Sequence, residues 1–161
     1  LRVLGTAFGC PFEGNVEPST VLHVAERFLH AGCTGITLAD TTGMANPQQV
    51  HDLVKMLHRA FGEDLKLGLH FHNTRGLGLA NTLAGYQAGV RRFDSSISGL
   101  GGCPFAPKAV GNVCTEDMVN MFHQMGIDTG TNLSALLETS SWTENIMGRP
   151  LDGMLLKAGT A

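Results

Sequence analysis

GITLADTTGMANPQQVHDLVKMLHRAFGEDLKLGLHFH, residues 35–72, contains a strand, a helix and a second strand in immediate succession. Gly35 to Asp40 is a short β-rich run closing on the turn Thr41-Thr42-Gly43. Asn46-Pro47 then supplies an N-cap and a proline at the first helical position. Val50, Leu53, Val54 and Leu57 follow at the spacing of one buried helix face. The chain returns to an apolar β-run over Leu65 to His72. A strand–helix–strand unit of this kind is the signature of a parallel sheet.

The same alternation continues in both directions. Upstream, a strand is expected from Arg2 to Phe8, ending at Gly9-Cys10-Pro11. A helix started by Pro18 and Ser19 follows, carrying Val21, Val24, Ala25, Phe28 and Leu29 and broken at Gly32. Downstream, a helix with Leu79, Ala80, Leu83 and Ala84 on its stripe stops at Gly89. A fourth strand, Arg92 to Ser98, leads into Gly99-Leu100-Gly101-Gly102. Another helix is expected from Thr115 to about Met125, where Glu116 and Asp117 suit the positive end of its dipole. Leu133, Leu136 and Leu137 beyond Asn132 predict a terminal helix. Four βα units at a period of roughly 30 residues fit α/β architecture, either half of a (β/α)8 barrel or a small doubly wound sheet. Both folds put their sites at the C-terminal ends of strands, so position alone does not choose between them.

Composition narrows the class. Of 161 residues, 43% are hydrophobic and 16% charged, which excludes intrinsic disorder and leaves the surface under-charged for a free-standing domain. No apolar run approaches the roughly 20 residues of a membrane span. The net charge is −3 with scattered Lys and Arg, so no nucleic-acid footprint is visible. The chain opens Leu1-Arg2-Val3-Leu4 without Met or a secretory signal, which reads as a missing start or a processed chain. The 21 glycines lack a collagen-like period. Cys10, Cys33, Cys103 and Cys114 form no Cys-x-x-Cys pair, which argues against a closed zinc site; they read as reduced thiols in a cytoplasmic setting.

Chemistry concentrates in a few places. His70 and His72 stand at i and i+2 on a strand and therefore share a face, with Gly68 beside them and Leu67, Leu69 and Phe71 turned to the covering helices. Such a pair suits a metal held through two neutral ring nitrogens, and equally two imidazoles hydrogen-bonded at a sheet edge. Asp40 shares a face with Ile36 and Leu38, read as the inner one, where a bare charge is costly and a partner is expected. A turn or helix-capping aspartate before Gly43 fits as well. Cys103, after two glycines and before Pro104, is either an activated thiol on a mobile loop or a small buried hydrophobe. Asn112 offers an amide oxygen to a metal, or caps the last helix. Gly76-x-Gly78 lacks the third glycine of a dinucleotide fingerprint, and neither a Gly-Lys-Ser/Thr loop nor a Gly-x-Ser-x-Gly elbow occurs.

Taken together, Gly9-Cys10-Pro11-Phe12-Glu13-Gly14, Leu38-Ala39-Asp40-Thr41-Thr42-Gly43, His70-Phe71-His72-Asn73-Thr74, Ala80-Asn81-Thr82-Leu83, Asp94-Ser95-Ser96, Gly99-Leu100-Gly101-Gly102-Cys103-Pro104-Phe105-Ala106 and Gly126-Ile127-Asp128-Thr129-Gly130 resemble the 3-hydroxy-3-methylglutaryl-CoA lyase family over nearly the whole chain. The resemblance implies a divalent-metal lyase on a (β/α)8 barrel, with residues 1–161 a partial domain supplying strands five to eight and a terminal helix. It implies an acyl-CoA substrate cleaved to acetyl-CoA and a keto acid. His70, His72 and Asn112 match the metal ligands, with His70 counted in the catalytic set as well. Cys103 matches the reactive thiol and Asp40 an active-site acid. A further ligand, the aspartate of an Arg-Asp-Gly motif, has no counterpart here. Imidazole, amide and carboxylate donors with open positions suit Mg²⁺ or Mn²⁺. Asn73, Arg75 and Lys108 depart from the family pattern around the site, which points to a related 3-hydroxyacyl-CoA as an alternative substrate. Arg75 or Lys108 is then a candidate contact for a carboxylate or a CoA phosphate, or simply a solvated charge. The other readings are a condensing synthase of the isopropylmalate or homocitrate type and an inactive half-barrel that binds a partner. Open sheet edges predict a homodimer or pairing with an N-terminal half, and neither nucleic acid nor membrane is an expected partner.

Overall fold

Four strands lie parallel in a single sheet: β1 (Arg2–Leu4), β2 (Gly35–Asp40), β3 (Lys66–Phe71) and β4 (Phe93–Asp94). The structure, a computed structural model, describes residues 2–102 and 110–160. Helices α1 (Pro18–His30), α2 (Pro47–Phe61) and α3 (Gly78–Gln87) make the crossovers, and α4 (Thr115–Gln124), α5 (Leu133–Met147) and α6 (Met154–Ala158) follow. Strand order is β1-β2-β3-β4, identical to chain order. A doubly wound sheet reverses direction at a switch point, whereas a barrel adds each strand beside the last. The architecture is therefore half of a (β/α)8 barrel.

Register decides which side chains face the helices. Ile36 stands opposite Leu67, Leu38 opposite Leu69 and Asp40 opposite Phe71. Ile36, Leu38, Leu67, Leu69 and Phe71 pack with Val50, Val54 and Leu57 of α2 into one core. The other face carries Thr37 opposite Gly68, Ala39 opposite His70, and His70 opposite Asp94. On α2 the expected cap is present: Asn46 accepts from the Gln49 N–H at 3.0 Å, and Gln49 Oε1 accepts in return from the Asn46 N–H.

Several expectations need correction. β1 stops at Leu4 rather than Phe8, because Thr6 takes a left-handed backbone (φ 55°) that ends the extended run. β4 is two residues long instead of Arg92 to Ser98; beyond Asp94 only Ser96 bridges to Cys114, and a 3-10 turn over Ile97–Gly99 follows. The buried face of α3 is Gly78, Asn81, Thr82, Ala84 and Gly85, with Ala80 exposed. Here small size and hydrogen-bonded donor groups outweigh hydrophobicity. A side chain on Gly85 would collide with Leu69, while Asn81 donates to the Ala45 carbonyl and Thr82 to that of Gly78. The short helix α6 is additional to the sequence reading. Among the described residues no helix is long and apolar enough to cross a membrane.

Candidate active site

His70 ends the open-face row of β3, and His72 lies just beyond it, held by an antiparallel bridge to Asn112. The His72 N–H donates to the Asp40 carbonyl at 3.3 Å, and the Val113 N–H donates to the Phe71 carbonyl at 3.1 Å. These backbone bonds bring a residue forty positions downstream against the histidine pair. The two imidazole rings meet edge to face with centroids 5.2 Å apart. Burial pushes both rings below the ordinary histidine range. For His72 the neighbouring His70 adds to the effect and the Val110 carbonyl opposes it; for His70 only the charge of Asp94 opposes. The pair is thus neutral at pH 7, the form with a free ring-nitrogen lone pair.

The polar atoms left over are informative. Among the described residues, His72 Nδ1 and Asn112 Oδ1 are buried without a hydrogen-bond partner. Buried polar atoms are nearly always satisfied, so each such exception needs an explanation. Asn112 does not cap α4, whose N-cap is Cys114. Its Nδ2 instead donates to the Leu100 carbonyl at 2.8 Å, leaving Oδ1 free. The glycines around it are there for close approach. A side chain on Gly111 would collide with the Gly99 carbonyl, and a Cβ on Gly101, at φ +106°, would sit 2.7 Å from Asn112 Nδ2. Two neutral imidazoles and an unpartnered amide oxygen fit a divalent cation that keeps open positions. Among the described residues no three His, Cys, Asp or Glu side chains gather into a metal site.

Asp40 stands apart. It does share a face with Ile36 and Leu38, but register makes that the helix-covered face, opposite to His70. Its Oδ1 accepts from the Met44 N–H at 2.8 Å, the turn-capping role, while Oδ2 is buried without a partner among the described residues. Burial raises its pKa above the ordinary carboxylate value, against the pull of the Met44, Ala45 and Gly43 amides and the Arg75 charge. Arg75 donates to the Thr42 and Gly43 carbonyls at 2.9 and 3.0 Å, and the Asn73 side chain accepts from the Gly78 N–H. Both departures from the family pattern therefore brace the turns beneath the site. Cys103 and Lys108 lie outside the described residues. Cys114 is no substitute for Cys103, because burial, with Asp117 and Glu116, pushes its thiol up to about 12.

Sequence reasoning missed two residues here. Asp94 pairs with His70 across β3 and β4; the expected strand contained it, but the register that sets it opposite His70 is not written in strand periodicity. Glu116 looked like an ordinary acidic residue at a helix start, and no sequence signal marked it otherwise. A cavity of about 500 Å³ lined by Tyr86, Phe93, Met118 and Phe122 lies on the helix side of β4, away from the histidines.

A family model described as HMGL-like matches residues 2–142. The (R)-citramalyl-CoA lyase of Chloroflexus aurantiacus is 48% identical over 97% of this chain and 49% of its own length. A hydroxymethylglutaryl-CoA lyase of Bacillus subtilis is 44% identical over 92% of the chain and 49% of its own. An HMG-CoA lyase structure from Acinetobacter baumannii, in complex with coenzyme A and 3-methylmalate, superposes with a TM-score of 0.93 at 50% identity, covering 98% of this chain and 52% of that one. The chain spans about half the length of the curated relatives it matches.

Proposed function

This chain belongs to the HMGL-like family, and we propose that it carries the ion-binding half of a carbon–carbon lyase acting on 3-hydroxy-3-methylglutaryl-CoA or a related 3-hydroxyacyl-CoA. The observation that carries the reading is the bridge between His72 and Asn112, which sets two unsatisfied buried polar atoms on facing backbone segments. The names of the relatives support the reaction class, and the coenzyme A in the Acinetobacter structure supports an acyl-CoA substrate. Mg²⁺ or Mn²⁺ would be held by His70, His72 and Asn112. When bound, such an ion supplies Lewis-acid polarisation of the substrate's hydroxyl and carbonyl oxygens.

The rest of the chemistry falls to the protein. A base takes the hydroxyl proton as the carbinol becomes a carbonyl and afterwards returns it to the Cys103 thiolate, while the pair of the breaking carbon–carbon bond moves to the carbon next to the thioester. Cys103 Sγ gives its proton to that carbon, so the acetyl-CoA enolate leaves as acetyl-CoA. Asp40 caps its turn through Met44 from the helix-covered face, and any part it has in proton transfer is decided by the turnover of Asp40→Asn. The free edges of β1 and β4 call for further strands, and an N-terminal half-barrel or a second copy is the proposed partner.

The test is to incubate the chain, alone and with a separately made N-terminal half, with 3-hydroxy-3-methylglutaryl-CoA or citramalyl-CoA, in Mn²⁺ or in chelator. Acetyl-CoA with acetoacetate or pyruvate is expected, dependent on Mn²⁺ and lost by orders of magnitude in Cys103→Ala. No cleavage with both halves present would overturn the proposal, as would a condensation product formed from acetyl-CoA and a 2-oxo acid.

A further inference from the structure

Glu116 is a carboxylate with 0% exposure, and both its oxygens are committed to one residue. The Ser98 N–H donates to Oε2 at 3.0 Å and the Ser98 hydroxyl to Oε1 at 2.9 Å. A carboxylate in the first turn of α4 would gain from the helix dipole in any exposed rotamer. Dipole stabilisation therefore does not explain burying it against Ser98. The backbone of Ser98 does: at φ 50°, ψ 25° it is left-handed, a conformation side chains other than glycine disfavour, and it needs outside support. The Asp152 N–H donates to the Ser98 carbonyl, and Gly153 packs onto the carboxylate with no space for a side chain.

Two residues further on, the same turn presents the Leu100 carbonyl. The Leu100 N–H closes back on Ile97, and the carbonyl accepts from both Ser96 Oγ and Asn112 Nδ2. A primary amide is planar, so fixing its nitrogen fixes its oxygen. Turned over, Asn112 would set two acceptor oxygens against each other. The position of the Leu100 carbonyl thus decides which way Asn112 Oδ1 points.

We propose that Glu116 is a positioning residue: by holding Ser98 in its left-handed turn it delivers the Leu100 carbonyl to the Asn112 amide and leaves Oδ1 as a free acceptor beside His72. The consequence for ion binding rests on the function proposed above; the amide orientation does not. Partners that orient metal ligands typically change affinity roughly 10–100-fold when removed.

Four variants test this by two readouts, hydrogen exchange of the Asn112 side-chain amide by NMR and Mn²⁺ affinity by electron paramagnetic resonance. Glu116→Met keeps the volume and loses both acceptors. It is expected to speed Asn112 exchange at least about tenfold and to weaken Mn²⁺ binding within the range above. Glu116→Gln retains an acceptor for the Ser98 N–H and a donor for its hydroxyl, and should restore both readouts. Asp117→Ala, on the same turn, loses the bonds to the Met154 and Leu155 N–H groups and should alter neither. A folded Glu116→Met with unchanged Asn112 exchange overturns the proposal. So does Asp117→Ala matching it, since the effect would then be general loosening of α4. If Glu116→Met does not fold, Ser98→Ala serves: faster Asn112 exchange supports the proposal, and unchanged exchange overturns it. A parent chain that binds no Mn²⁺ defeats the ion site proposed above, while the amide exchange still decides the role of Glu116.

Discussion

The ends of β2 and β3 lie side by side, and each carries a polar residue where apolar ones precede it. At β2 the residue is Asp40, paired in register with Phe71; at β3 it is His70, paired with Ala39. One step of register separates them, and side chains alternate with period two, so they face opposite sides of the sheet. Asp40 falls on the helix side and caps a turn through Met44. His70 falls on the open side, beside His72 and opposite Asp94. Lying at the C-terminal end of a strand is common to both; parity separates the brace from the candidate ligand.

The two faces therefore respond differently to substitution. The largest effect belongs to the helix side. Leu69 is fully buried against α3, and Leu69→Ala should cost about 2–5 kcal/mol in urea unfolding, the range for a core leucine that leaves a cavity. Mn²⁺ affinity of the remaining folded protein should be unchanged. A loss of ion binding at full folded occupancy would show that the faces are coupled and that parity does not partition them.

The open face makes the converse prediction. His72→Ala should lower Mn²⁺ affinity on the order of 100-fold, at or beyond the top of the range for a supporting partner. It should cost the metal-free fold far less than Leu69→Ala does, since it removes a ring nitrogen that has no hydrogen bond among the described residues. Equal loss of stability from the two variants would make His72 a core residue and leave the site without its central ligand.

The same contrast shows what the sequence can reveal. β2, α2 and the helix face of β3 were legible because apolar periodicity and the Asn46-Pro47 start both arise from local chemistry. The histidine pair was legible for the same reason, needing only strand period. The partner Asn112 Oδ1 was recognisable by resemblance, but its orientation was not, because it is set by a backbone carbonyl, that of Leu100. Asp40 was placed on a shared face correctly and on the wrong side of the sheet. Which face the helices cover is a tertiary fact, and the apolar row Ile36-Leu38 resembles a barrel lining as well as a core. Glu116 was invisible in the sequence because its meaning lies in the left-handed backbone of Ser98.

A smaller effect separates brace from reactant at Asp40. Asp40→Asn keeps an oxygen to accept from the Met44 N–H and removes a carboxyl whose charged form burial disfavours. Its neutral-pH stability should equal the parent's or exceed it by up to about 1 kcal/mol, the scale of one net hydrogen bond. Cleavage measured with the N-terminal half present then decides the role: retained turnover leaves Asp40 as a turn cap, and turnover lost at undiminished stability makes it a reactant.

The smallest expected effect is in the pH dependence of the metal-free chain, where the two strand ends should pull in opposite directions. Burial lowers the folded-state pKa of His70 and His72. The unfolded chain therefore takes up protons below about pH 6.5 before the folded one does. The stability these histidines contribute is present above that pH and is lost as acidification proceeds toward their lowered folded values. Asp40 runs the other way. Its folded pKa lies above the ordinary aspartate value of 3.8, so its contribution is complete below that value and fades as pH rises through the folded one. Acidification thus removes the histidine contribution while restoring that of Asp40, and the parent curve should be partly flattened. Asp40→Asn should fall more steeply on acidification than the parent, and His70→Ala less steeply. Superimposable profiles for all three proteins would mean that neither strand end carries the burial on which the contrast between them rests.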